Sequence, residues 1–94
     1  MRLVITATAA RDLIDAITFI AADNPDAAMR VRDRLMEQAN RLLEFPELGR
    51  PLPREIRAFA VSETPFRLIY RVDPGSLIIL RVWHGARQWA DTTD

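Results

Sequence analysis

The sequence predicts an α+β fold: an N-terminal strand, an antiparallel helical hairpin, then three antiparallel strands forming a sheet packed on the helices. Three observations predict it. Apolar residues recur at helical spacing from Ala9 to Leu42. They alternate at strand spacing from Ile56 to His84. Between the two lies Phe45-Pro46-Glu47-Leu48-Gly49-Arg50-Pro51-Leu52-Pro53, which holds three of the six prolines, cannot continue a helix and reads as an ordered connecting loop. With 94 residues, the chain is expected to be a single domain, 1–94.

Residues 2–6 read as the first strand, and Thr6 or Thr8 as the cap of the first helix. Ala9, Leu13, Ala16, Ile17, Ile20 and Ala21 form its buried stripe. Arg11, Asp15 and Thr18 fall on its wet side, and Asp12 reads as a further surface acid. Asn24 is a good N-cap, and Pro25 suits the first turn of a second helix spanning 25–44. Ala28, Val31, Leu35, Ala39 and Leu42 form the stripe of that helix. Arg30, Asp33, Arg34, Glu37 and Arg41 lie on its wet side at pairing distance.

Three strands follow, at 56–61, 66–72 and 77–84. Side chains alternate along a strand. Phe66, Leu68, Tyr70 and Val72 therefore share one face, taken as the core, and Arg67, Ile69 and Arg71 share the other. In the last strand Ile78, Leu80, Val82 and His84 are expected in the core set, with Leu77, Ile79, Arg81 and Trp83 opposite. Pairing Val72 with Ile78 makes the core sets coincide and leaves a three-residue loop, Pro74-Gly75-Ser76. Arg67, Arg71, Arg81 and Trp83 then lie on the face away from the helices. Such a face suits an acidic protein, a nucleic acid or a phosphate.

Composition narrows the chemistry. The formal charge is zero, whereas a protein that binds nucleic acid mainly by counterion release is usually basic. Arginine outnumbers acid in residues 50–94, seven to five, and the reverse holds in 1–49, six to eight. There is no cysteine, so disulfides, thiolate metal sites and cysteine nucleophiles are excluded. All 13 basic residues are arginine, which excludes a lysine base or Schiff base. A lone histidine, His84, gives no ligand set for a metal, and no cofactor motif is present. No apolar run is long enough for an export signal or a membrane span, so a cytoplasmic protein is expected.

Five segments together resemble one family. They are Ala9-x-x-Asp12-Leu13, Asn24-Pro25 with Ala28, Pro46-Glu47-Leu48-Gly49-Arg50-Pro51, Phe66-Arg67-Leu68-Ile69-Tyr70-Arg71-Val72, and Ile79-Leu80-Arg81-Val82-Trp83-His84-Gly85-Ala86-Arg87. In this order they resemble the RelE/ParE superfamily of type II toxin–antitoxin toxins, and most of all its ParE branch. The resemblance implies a toxin neutralised by a cognate, ParD-like antitoxin that wraps it with a helix and an extended segment. In the ParE branch the target is DNA gyrase, stalled with its DNA cleaved. The RelE branch instead cleaves messenger RNA on the ribosome. A third possibility is a non-toxic chain that only binds an antitoxin and regulates through it.

Ribonuclease chemistry needs a base, an acid and positive charge at the phosphorus. Arg67, Arg81 and His84 are the residues that could supply these. Against it stand the absence of lysine, the absence of any tyrosine after Tyr70, and the placement of His84 opposite the arginines. The ParE-like reading needs no catalytic group, only surfaces. Its target-binding candidates are Arg67, Arg71, Arg81, Trp83, Arg87 and Trp89. Trp89 is either a partner anchor or a cover for the sheet edge. Direct nucleic-acid binding is not expected outside a target complex, and no membrane partner is expected.

Overall fold

A computed structural model describes residues 1–85. The elements are β1 (Arg2–Ile5), α1 (Ala7–Ala21), α2 (Pro25–Glu44), β2 (Arg50–Leu52), a 3-10 turn (Pro53–Glu55), β3 (Ile56–Ala60), β4 (Phe66–Asp73) and β5 (Ser76–His84). They form one five-stranded sheet in the order β1-β5-β4-β3-β2. β1 runs parallel to β5, and the other neighbours are antiparallel.

The helix ends follow from local chemistry. The Thr6 hydroxyl accepts the Ala9 N–H at 3.0 Å and so starts α1. Asn24 Oδ1 accepts the Ala27 N–H at 3.0 Å, and Pro25 opens α2. α2 stops at Glu44 because Phe45 leaves helical geometry and Pro46 has no N–H to continue it. On its wet side Arg34 pairs with Glu37, whereas Asp33 pairs with its neighbour Arg32.

The hairpin covers one sheet face. Ala9, Leu35, Ala39 and Leu42 from the helices meet Val61, Phe66, Leu68, Tyr70, Leu77, Ile79 and Val82 from the sheet half. Leu3, Leu13, Ala16, Ile20, Val31, Leu43 and Phe59 complete this layer. Leu35, Leu42, Leu68 and Leu77 are nearly or fully buried, each stabilising the fold by about 1.5–3 kcal/mol.

Two expectations are corrected. The proline-rich stretch contains a short edge strand, β2, paired with β3 through Arg50–Ala58, Pro51–Arg57 and Leu52–Ile56. A proline is tolerated there because β2 is at the sheet edge. The β4–β5 register also differs. From Phe66–His84 to Ile69–Arg81 it is the expected one, but beyond that Tyr70 pairs with Ile79 and Val72 with Leu77. Leu80 is the extra residue of a β-bulge. The bulge reverses the faces of the first half of β5, so Leu77 and Ile79 are buried while Ile78 and Leu80 are only partly so. The loop is consequently two residues, Pro74-Gly75, with Gly75 at φ +79°.

Candidate interaction surface

The sheet face away from the helices is read from the register. β4 contributes Arg67, Ile69, Arg71 and Asp73. β3 contributes Ala58 and Ala60, opposite Ile69 and Arg67. β5 contributes Arg81 and Trp83, again opposite Ile69 and Arg67. Arg50 pairs with Ala58 and extends the face over β2, while Arg2, one residue before core-facing Leu3, extends it over β1. Ile69 is 1% exposed and Ala58 is 8% exposed, although neither faces the helices. Arginine stems on a strand cover neighbouring apolar groups while their heads stay wet, which accounts for a buried floor on an outward face.

Arg81 is not a free cation, which corrects the expectation that it stands clear of the helices. Its Nε donates to Asp12 Oδ2 at 2.7 Å and its Nη2 to Oδ1 at 3.1 Å. The same carboxylate accepts the Val82 N–H at 3.0 Å. The cause is topological. β1 ends opposite Ile79, so β5 has an open edge beyond it. The start of α1 crosses that edge: the Thr6 N–H donates to Ile79 O, and its hydroxyl to Leu80 O. Asp12 then takes the next edge donor, the Val82 N–H. Asp12 is therefore not a free surface acid, since its side chain is only 16% exposed. The Asp12 hydrogen bond raises the Arg81 pKa further above its ordinary value. The Arg81 guanidinium lies 5.0 Å from the centroid of the Trp83 ring.

Arg71 is engaged too. Its Nε and Nη2 donate to the Asp73 carboxylate at 2.9 and 3.2 Å. Arg67 has no ion pair among the described residues. It is half-buried, opposite Trp83 on one side and Ala60 on the other.

Tyr70 faces the core as expected, and its hydroxyl has a specific task. It accepts the Gly49 N–H at 2.8 Å and donates to Pro46 O at 2.7 Å. Arg57 Nη1 donates to Gly49 O at 2.8 Å and Glu47 O at 3.3 Å. The segment Pro46-Glu47-Leu48-Gly49 is thus pinned to the sheet by two side chains. A Cβ on Gly49 would sit 2.5 Å from the Tyr70 hydroxyl oxygen, so only glycine fits that approach. Burial raises the Tyr70 pKa, while the Gly49 hydrogen bond and Arg57 act against it.

His84 lies opposite Phe66, on the other face from Arg67, and packs edge-on to that ring at 5.4 Å. The structure thus brings together Arg67, Arg71, Arg81 and Trp83 but not His84. Arg87 and Trp89 lie outside the described residues. Asp12 is the participant that sequence reasoning missed. Its signals are its position, three residues from Ala9 and four from Ala16 at the rim of the buried stripe, and its place in the segment Ala9-x-x-Asp12-Leu13. Among the described residues no group of three or more histidine, cysteine or acidic side chains could hold a metal ion. None of the described helices is long and apolar enough to cross a membrane.

The model of the ParE toxin family of type II toxin–antitoxin systems matches residues 3–89. The chain belongs to that family. Within the wider RelE/ParE superfamily it is similar to proteins bearing either branch's name. It is 34% identical over 85 residues to Y4kP of Sinorhizobium fredii, whose name marks it as a toxin candidate, covering 89% of this chain and 88% of that one. It is 36% identical over 76 residues to Toxin RelE2 of Caulobacter vibrioides, covering 81% and 85%. Among solved structures it is similar to a chain of the chromosomal ParDE toxin–antitoxin system of P. aeruginosa, with a TM-score of 0.81 and 26% identity over 89% of this chain and 95% of that one. The expected superfamily and the strand–hairpin–sheet architecture are both borne out.

Proposed function

We propose that this chain is a cytoplasmic ParE-like toxin that poisons DNA gyrase by binding it, and that a ParD-like antitoxin encoded beside it holds it inactive. The antitoxin part is supported by its likeness to a chain of the ParDE system of P. aeruginosa. The gyrase part rests on one observation above others. Arg81, which ribonuclease chemistry would need to stabilise a phosphorane, is held at two points by the Asp12 carboxylate. The remaining groups point the same way. The Tyr70 hydroxyl is spent on the Gly49 loop, and His84 lies on the opposite face from Arg67. An acid, a base and an unquenched positive charge do not converge among the described residues. A binding surface needs none of them.

The similarity to Toxin RelE2 sustains one competing reading, a ribosome-dependent messenger RNA endoribonuclease using Arg67, Arg81 and His84. Order of arrest separates the two. The chain is expressed without antitoxin, and DNA and protein synthesis are followed by pulse labelling. A gyrase poison stops DNA synthesis first and breaks the chromosome. Early loss of protein synthesis with intact DNA would favour the ribonuclease.

A further inference from the structure

The charges of this neutral chain are sorted between its two layers. The stretch from Thr6 to Gly49, which holds the helical hairpin, carries five arginines against eight acidic residues. The outward sheet face carries Arg2, Arg50, Arg67, Arg71 and Arg81, and of acidic side chains only Asp73 among its strand residues. Asp73 and Asp12 quench Arg71 and Arg81. Arg67 stays unpaired among the described residues, in the middle of the sheet.

The floor beneath these arginines is apolar and small. Ile69 is flanked along β4 by Arg67 and Arg71, with Ala58 on one side and Arg81 on the other. Beside Ile69 and Arg67 the side chains of β3 are Ala58 and Ala60, which leaves room there for a backbone to lie close. We propose that this face seats an acidic, extended segment of the toxin's protein target, with a carboxylate on Arg67 and apolar groups against the arginine stems that cover Ile69 and Ala58. This deepens the proposed function and rests on it for the existence of a target. Charge complementarity argues for the occupant. A nucleic acid fits less well, because two of the five guanidiniums are already neutralised from within and the chain as a whole is uncharged. The target is preferred over the antitoxin because a permanent partner favours apolar surface. That surface lies on the helices, where Ile14 is 60% and Phe19 is 83% exposed.

The test compares the wild type with Arg67→Glu, Arg67→Gln and, as a helix-side control of equal charge change, Arg30→Glu. Each is assayed for thermal melting, antitoxin binding, growth arrest and binding to purified gyrase. Arg67→Glu is expected to melt as wild type and keep antitoxin affinity, but to bind gyrase about tenfold or more weakly and to lose growth arrest. Arg67→Gln should fall between, and Arg30→Glu should match the wild type. Wild-type arrest and gyrase binding by a folded Arg67→Glu would overturn the inference while leaving the gyrase reading intact. Loss of antitoxin binding instead would assign the face to the antitoxin and overturn it too. A wild type that ignores gyrase, yet whose arrest depends on Arg67 and is free of RNA cleavage, would sink the gyrase reading and keep the acidic-target face. Arg67-dependent RNA cleavage, or a wild type that arrests nothing, would overturn both.

Discussion

Asp12 and Arg81, 69 residues apart in the chain, close the open edge of β5 with a two-point ion pair. The carboxylate also takes the Val82 N–H, so three donors depend on one side chain. Replacing Asp12 with alanine strands a backbone donor and a partly buried guanidinium. Asp12→Ala should cost ~1–3 kcal/mol of stability, and Asp12→Asn less, by denaturant unfolding.

Arg81 and Arg67 should part company in the same experiment. Arg81→Ala leaves Asp12 without its strongest donor and should cost ~1–2 kcal/mol. Arg67→Ala breaks no ion pair among the described residues and should stay within ~0.5 kcal/mol of wild type. Equal costs would mean that the Asp12 pair contributes nothing.

Tyr70 offers an unusually clean pH test. The chain has one tyrosine, no cysteine and no lysine, so Tyr70 is the only side chain titrating near pH ~10. Burial raises its folded-state pKa above the unfolded value. Its contribution to stability is therefore complete below the unfolded pKa of about 10 and is lost as pH rises through the folded value. Denaturant stability should fall above pH ~10, while Tyr70→Phe, less stable at neutral pH by ~1–3 kcal/mol, should show no such limb. Tyrosinate absorbance, followed in parallel, should lag behind that of the unfolded chain.

Gly49→Ala should act on the same latch. The new methyl would meet the Tyr70 hydroxyl and ring, both buried, so one of the two must move. A loss of ~1–3 kcal/mol is expected, with the Tyr70 pKa shifted from its native position. A variant of wild-type stability would mean that the loop yields easily.

Much of this was legible from residue types alone. Both ends of α2 were, because Asn24-Pro25 and Phe45-Pro46 leave few other boundaries. The inward face of β4 was legible as far as Tyr70, because Arg67 and Arg71 alternate with Phe66, Leu68 and Tyr70, but Val72, expected in the core, is 40% exposed. The faces of β5 were not. Leu77-Ile78-Ile79-Leu80 is apolar in both parities, so alternation cannot choose between them, and the bulge at Leu80 decides. Strand β2 was hidden by Pro51, which is acceptable only because the strand turns out to lie at an edge. Asp12 was hidden because its importance depends on where β1 stops, and helical periodicity carries no trace of that. The arginine face was expected from the sequence, but the neutralisation of Arg81 was not.

The most direct measurement is a gyrase cleavage assay. Purified chain is incubated with gyrase, supercoiled plasmid and ATP, and linear DNA is scored after protease treatment. The expected result is linear product that rises with the chain's concentration and vanishes when antitoxin is added. Absence of linear product, from folded protein that arrests growth and cleaves ribosome-bound messenger RNA, would contradict the gyrase-poison reading.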